Sequence, residues 1–291
     1  MNRQTDRQTD RQTDRQTDRQ TDSSIAVITT TIGRDTLEKT IISIQQQTYP
    51  CKHYVFVDGK QHWEKVKHLE QKYPHVVFTF LPMNTGGENN IGNGAIHAIL
   101  PYILKEDIFC FLDDDNWYDT NHVAYLANMI DQYQLDYAYS LRKLYTTDYQ
   151  FLCNDDFESL GYWFVPIEEP FKCADEILIY SNKNIAALID TNCYAITRNI
   201  AFELSKEWYS GLGNDKNVFA KLIDLNAKGG CTAQRTLNYK VNFQIGGVNI
   251  PQHYIWDFIK EKCKQIAQEK QPWMTPTLYI DSVLQPIDEN N

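Results

Sequence analysis

Three consecutive carboxylates, Asp113, Asp114 and Asp115, follow directly on the apolar run 108–112 and lead into Asn116, Trp117 and Tyr118. Carboxylates this close repel one another unless a cation or hydrogen-bond donors sit among them, so the stretch reads as a site for a divalent metal. An acidic turn capping the next helix is the plainer alternative. Asp58, before Gly59, ends another apolar run and stands where an acid in a dinucleotide-type fold accepts hydrogen bonds from ribose or base; an ordinary Asp-Gly turn explains it equally well. Thr29, Thr30, Thr31, Ile32, Gly33 and Arg34 form a polar segment after the first apolar run. Residues 84–94, with Asn90 and Gly92, hold four glycines in eleven positions, which allows a ligand close to the backbone, and a helix starting near Asn93 aims amides at it. The pattern is neither G-x-G-x-x-G nor a Walker loop. Asp215 stands where it can cap a later helix.

The elements that must position these groups follow from periodicity. An apolar strand over 25–28 precedes a helix with Asp35 as cap and Leu37, Ile41, Ile42 and Ile44 on its apolar side, bounded by Pro50. A strand over 54–57, a helix over 61–72 and a strand over 76–81 come next. This β-α-β-α-β order implies parallel strands with helical crossovers. A helix over 94–104, bent or ended early by Pro101, leads into the strand over 108–112, whose unbroken apolar character suits the middle of a parallel sheet. Ligands bind such sheets at the carboxyl ends of the strands, where residues 29–34, Asp58, 84–94 and 113–116 all fall. Further on, the pattern predicts a helix over 120–133, a strand over 137–140, an irregular acidic and aromatic stretch to about 164, and a strand and turn over 190–195. Then come helices over 200–207 and 216–225, strands near 236–243, and an amphipathic helix over 252–268 with an extended tail after Pro272.

The 291 residues allow one large domain or two small ones. A net charge of −10 disfavours nonspecific binding to nucleic acid or an anionic membrane. Seven cysteines, an odd number without a C-x-x-C pair, read as a reduced, cytoplasmic protein. No apolar run reaches membrane-spanning length and no secretory h-region opens the chain. The 252–268 helix reads first as packed on the main domain; a peripheral contact at the inner face of the membrane and a homodimer stay open, with this helix as the surface for either.

Taken in order, Thr29-Thr30-Thr31-Ile32-Gly33-Arg34, Gln47-Thr48-Tyr49-Pro50, Val57-Asp58-Gly59 and Leu112-Asp113-Asp114-Asp115 resemble family 2 glycosyltransferases of the GT-A fold over roughly residues 24–258. The resemblance implies a three-layer α/β/α domain with a mainly parallel sheet over 24–250, a C-terminal helix and tail over 251–291, and a metal-dependent inverting enzyme. It makes the acidic cluster a D-x-D motif: Asp113 on the donor ribose, Asp115 with Asp113 holding Mn²⁺ or Mg²⁺ on the diphosphate. Thr29, Thr30, Thr31, Gly33, Arg34, Asp58, Asn90, Gly92 and Asp114 would then line the nucleotide site. Asn116 stands where the family often has another acid. The catalytic base falls on Asp215 in Gly213-Asn214-Asp215-Lys216, without the family's usual preceding acid, and Asp190-Thr191-Asn192-Cys193-Tyr194 and Asn238-Tyr239-Lys240 look like acceptor-side strands. The implied partners are a nucleotide-sugar, UDP-linked by preference, and a glycan or lipid-linked glycan, with no nucleic acid. A sugar-phosphate nucleotidyltransferase is a second reading, although residues 29–34 lack a triphosphate-gripping loop. A noncatalytic nucleotide- or glycan-binding protein of the same fold is a third, kept alive by the missing acid before Asp215.

Residues 3–22 are five copies of Arg-Gln-Thr-Asp. A four-residue unit without an apolar side chain has no face to bury, so 1–23 reads as a disordered tail. Its perfection points to the gene: Asp-Arg-Gln-Thr can be written GAC AGA CAG ACA, a repeated GACA tract. Four is not a multiple of three, so slippage by one unit shifts the downstream frame and switches expression at random, a habit of bacterial genes for surface polysaccharide or lipopolysaccharide. Sequencing the gene should show an uninterrupted GACA tract; synonymous codons breaking it would remove the idea.

Overall fold

Residues 23–86, 92–183, 187–211, 213–241 and 251–287 are described by the computed structural model. The apolar opening of the chain forms β1 (Ile25–Thr31), three residues longer than the apolar run, because the threonines continue the ladder. Then come α1 (Leu37–Gln45), β2 (Lys52–Asp58), α2 (Trp63–Lys72), β3 (Val77–Leu81), α3 (Gly94–Ile103) and β4 (Ile108–Phe111). β1 pairs in parallel with both β2 and β4, and β2 pairs in parallel with β3. The helical crossovers therefore pack on the sheet as the alternation of patterns requires. Ile25, Ala26, Val27 and Ile28 are all buried, as are Phe109, Cys110 and Phe111, which accounts for apolar runs without a polar alternation.

The chain continues through β5 (Trp117–Tyr118), α4 (His122–Tyr133), β6 (Tyr137–Tyr145), β7 (Phe151–Asn154), β8 (Glu168–Cys173), β9 (Glu176–Ser181), β10 (Tyr194–Thr197), α5 (Arg198–Glu203), α6 (Ser205–Trp208), α7 (Asn214–Asp224), β11 (Gly229–Lys240), α8 (Gln252–Ile266), β12 (Thr277–Ile280) and β13 (Val283–Pro286). The main sheet runs β13-β12-β11-β6-β10-β4-β1-β2-β3, with β5 beside β11 and β7 beside β6. β10 is antiparallel to both β4 and β6, so β6 and its parallel neighbour β11 point the same way as β1 to β4. β8 and β9 form a separate hairpin.

Several local expectations shift. Asp35 does not cap α1; Thr36 precedes the helix and makes no side-chain cap bond. Pro101 lies inside α3, which runs on to Ile103, and the Pro101 carbonyl accepts from Arg198. The stretch after residue 140 is a hairpin, since β6 continues to Tyr145 and turns back as β7. Residues 191–193 form a 3-10 turn, and the strand follows it. Asp215 is in the first turn of α7; the cap position belongs to Gly213, whose φ of 78° suits glycine. The tail after Pro272 is ordered: Trp273 is buried, with its indole N–H on Asp156 at 2.8 Å, and β12 extends the main sheet from β11. The repeat tail and residues 242–243 lie outside the described residues.

Beneath the carboxyl edge of the sheet, His97 of α3 packs on Phe111 at 4.9 Å and on Trp208 at 5.2 Å between ring centroids. Burial lowers the His97 pKa to about 3, so it packs as a neutral ring. Gly94 allows α3 to come this close: a Cβ there would meet the Trp208 carbonyl oxygen at 2.1 Å and Asn214 Nδ2 at 3.1 Å. Gly94→Ala should therefore destabilise the protein by about 1–3 kcal/mol through overpacking against backbone, measured by urea denaturation.

Candidate functional site

A cavity of about 530 Å³ opens where β1, β2 and β4 end. Thr30, Thr31, Arg34, Asp58, Gly92, Asp113, Asp114 and Asp115 all line it, so strand ends far apart in the chain are brought together. Thr29 is elsewhere: it is buried in the sheet, with its hydroxyl 3.0 Å from His53 Nε2. Gly33 turns the loop behind the cavity, against Lys65 and Val66. Asn90 lies outside the described residues. Asp58 organises the far wall, its carboxylate accepting from the Thr85 amide at 2.7 Å and its carbonyl from Asn84 at 3.0 Å.

The acidic turn divides into three different environments. Asp114 is buried, and its two oxygens accept from Thr31 Oγ1 at 2.6 Å and Arg34 Nη1 at 2.7 Å, which ties the end of β4 to the loop after β1. Asp113 accepts from Asn93 at 3.1 Å and Asn192 at 2.9 Å, and its amide donates to Asn192 Oδ1 at 2.5 Å. Asp115 meets Arg34 with one oxygen at 3.2 Å; its other oxygen accepts no hydrogen bond among the described residues. Asn116 is buried, with its side chain accepting from the Lys240 amide at 3.0 Å.

Among the described residues no group of three or more His, Cys, Asp or Glu side chains is arranged to hold a metal ion. An all-protein cage is therefore not what this turn offers. One carboxylate with a free oxygen, Asp115, two residues from Asp113, fits a Mg²⁺-like ion that keeps waters and takes its remaining ligands from a bound phosphate. The all-oxygen set excludes a thiolate-type site.

A second cavity of about 190 Å³ adjoins the first, and Gly92, Asn93, Asp113 and Tyr239 line both. Asp215 reaches it from the first turn of α7 and accepts a hydrogen bond from Thr191 Oγ1. Burial, then the charge of Asp190, pushes the Asp215 pKa up to about 7, and Thr191 only partly offsets this. Asp113 is likewise raised to about 7, first by burial and then by Asp190, Asp115 and Asp114, against the Asn192 hydrogen bond.

Both carboxylates are held by one turn. Asp190 precedes it and accepts from the Asn192 amide at 2.9 Å and side chain at 2.8 Å; Asn192 in turn grips Asp113, and Thr191 grips Asp215. Asp190 is anchored by Arg142 Nη1 at 2.5 Å. That buried guanidinium also donates to Asp155 at 2.6 Å and to Glu158, so three carboxylates neutralise it.

Residues 24–169, about half of the chain, match the model of glycosyl transferase family 2. The chain belongs to that family. Its fold is similar to that of Staphylococcus aureus TarS 1–349 in complex with UDP-GlcNAc, with a TM-score of 0.54 at 13% identity over 84% of this chain and 70% of that one. The UDP complex of the same protein gives a TM-score of 0.52 at 14% identity over 75% of this chain and 61% of that one. An uncharacterized protein of Haemophilus influenzae is 36% identical over 55 residues, which are 19% of this chain and 37% of that protein. The chain thus spans well under two thirds of that relative's length.

In this family 2 glycosyl transferase the acids at the cavity are legible in the sequence, whereas the residues that hold them are not: Thr191 and Asn192 have the pattern of a strand, and no motif marks Arg142. A signal was still available: a lone arginine in the otherwise uncharged run 137–142, twelve residues before the acidic stretch 154–158. Arg142→Met should cost about 3–5 kcal/mol at pH 8, because three carboxylates lose their counter-charge. The cost should shrink towards pH 5, where those acids, their pKa values raised by the loss of the cation, take up protons. Urea denaturation at the two pH values measures it.

Proposed function

We propose that this glycosyltransferase moves a sugar from a nucleotide-sugar, UDP-linked by preference, to a hydroxyl of a glycan or lipid-linked glycan, with inversion at the anomeric carbon. One observation carries the reading: two adjoining cavities meet at Asp113, one with the acidic turn and Asp58, the other with Asp215. A donor in the larger and an acceptor in the smaller would face each other across that boundary. The solved complexes of the S. aureus neighbour with UDP and UDP-GlcNAc support a nucleotide-sugar in such a fold.

In this reading Asp58 and Asp113 orient the nucleoside, and Arg34 stands by the diphosphate. Asp115 and Asp113 would hold Mn²⁺ or Mg²⁺, which when bound neutralises charge on the leaving phosphate oxygen. Asp114, committed to Thr31 and Arg34, shapes the turn rather than touching the ion. Asp215 takes the proton of the acceptor hydroxyl as the new oxygen–carbon bond forms; the bond from anomeric carbon to phosphate oxygen breaks, and its electron pair leaves with the nucleoside diphosphate. A base raised to about 7 suits this task near neutral pH. The repeat-coded tail and the family together favour bacterial surface-glycan synthesis. No described helix is long and apolar enough to cross a membrane, and the reading places the enzyme in the cytoplasm, at the membrane's inner face where a lipid-linked acceptor requires it.

The test is acceptor-dependent release of nucleoside diphosphate. Asp215→Asn should lower kcat by roughly 10²- to 10⁴-fold while donor binding persists, and Asp115→Ala should abolish stimulation by Mn²⁺ or Mg²⁺. The wild-type kcat/KM should rise with pH through about 7, since only the unprotonated carboxylate of Asp215 accepts the proton. Full activity in both variants would overturn the assignment.

A further inference from the structure

Several cationic side chains around the site are matched by acids: Arg34 by Asp114 and Asp115, Arg142 by its three carboxylates, Lys143 by Asp119 and Arg235 by Asp156. Lys39 and Lys240 meet aromatic rings instead. Lys39 Nζ, from α1, is 3.3 Å from the Trp117 ring centroid and 3.7 Å from that of Tyr149. Lys240 Nζ, at the end of β11, is 5.5 Å from the same Tyr149 ring. Among the described residues neither ammonium forms an ion pair, and residues 242–250, which follow shortly after Lys240, contain neither Asp nor Glu.

Both lysines are half-buried. Aromatic faces stabilise a cation, but they do not cancel its charge or the repulsion of a second cation beside it. Two neighbouring, partly desolvated ammonium groups attract an anion more strongly than either would alone. Their place fits one: Trp117 lies two residues beyond Asp115, and the Lys240 amide is fixed by Asn116. The Tyr149 phenol is close enough to Asp115 for that carboxylate to raise its pKa, after burial. In a chain of net charge −10, an anionic substrate needs such a local attraction.

We propose that Lys39 and Lys240, framed by Trp117 and Tyr149, form a phosphate-binding subsite beside the acidic turn. The phosphate is one carried by the acceptor or the distal phosphate of the donor; both present the same oxygens to the two ammonium groups. The subsite's place in the reaction rests on the nucleotide-sugar reading, whereas its chemistry does not.

Calorimetry separates the cases. Inorganic phosphate is titrated into wild type and Lys39→Gln/Lys240→Gln, first ligand-free and then saturated with UDP and Mg²⁺, with UDP affinity measured for each. The expected result is phosphate binding at least tenfold weaker in the double variant. Binding that survives UDP loading of the wild type assigns the phosphate to the acceptor. Competition by UDP, with UDP affinity at least tenfold weaker in the variant, assigns it to the donor. Lys240→Gln alone should show the same direction, and Lys39→Arg, which keeps the charge, should retain binding; these guard against a misfolded double variant. Phosphate and UDP affinities that agree within twofold across the variants would overturn the subsite. Failure of UDP to bind the wild type would instead overturn the nucleotide-sugar reading, and the ligand-free phosphate titration would still decide the lysine pair.

Discussion

A guanidinium buried in a sheet must be neutralised where it stands, and Arg142 of β6 meets that requirement with Asp155, Glu158 and Asp190. Three chain segments are thereby drawn to one point: the strand itself, the turn after β7 and the turn before β10. Desolvation makes the arrangement exacting, because each lost partner leaves a charge in a medium that cannot solvate it. From Asp190 the constraint passes to Asn192 and so to Asp113, while the adjacent Thr191 holds Asp215. The two carboxylates that the proposed chemistry needs on opposite sides of the reacting carbon are thus set from a single three-residue turn.

Packing supplies the second fixed distance. α3 begins beside the larger cavity, α7 begins with the turn that carries Asp215, and the Trp208 carbonyl of α6 lies between Gly94 and Asn214. His97, Phe111 and Trp208 fill the space beneath. A neutral histidine is tolerated here as an aromatic body packed between Phe111 and Trp208. Charge is concentrated just above this apolar floor, where raised carboxylate pKa values record both the burial and the mutual repulsion of the acids.

Much of this was legible in the chain. Apolar runs of strand length followed by polar groups at residues 29–34, 58 and 113–116 predicted a parallel sheet with a ligand edge, and the ordered motifs carried the family. Local pattern read less well where a residue's partner is distant. Residues 191–193 carry strand-like composition yet turn, because Asp190 is held by an arginine 48 positions away. The tail after Pro272 reads as extended, but that it pairs with β11 as β12 and sets Trp273 on the buried Asp156 depends on partners distant in the chain.

What the sequence determined alone was therefore the kind of fold and the inventory of acids, since periodicity, turn residues and a run of aspartates are local properties. Tertiary structure decided their division of labour. Asp113, Asp114 and Asp115 are chemically identical and adjacent; only Asn93 and Asn192, Thr31 and Arg34, and an open oxygen make the first a boundary between two cavities, the second a structural tie and the third a carboxylate with one oxygen open to the cavity. Solvation and hydrogen-bond partners differ for the three because each is met by different segments of the folded chain, and no spacing along the sequence records those meetings.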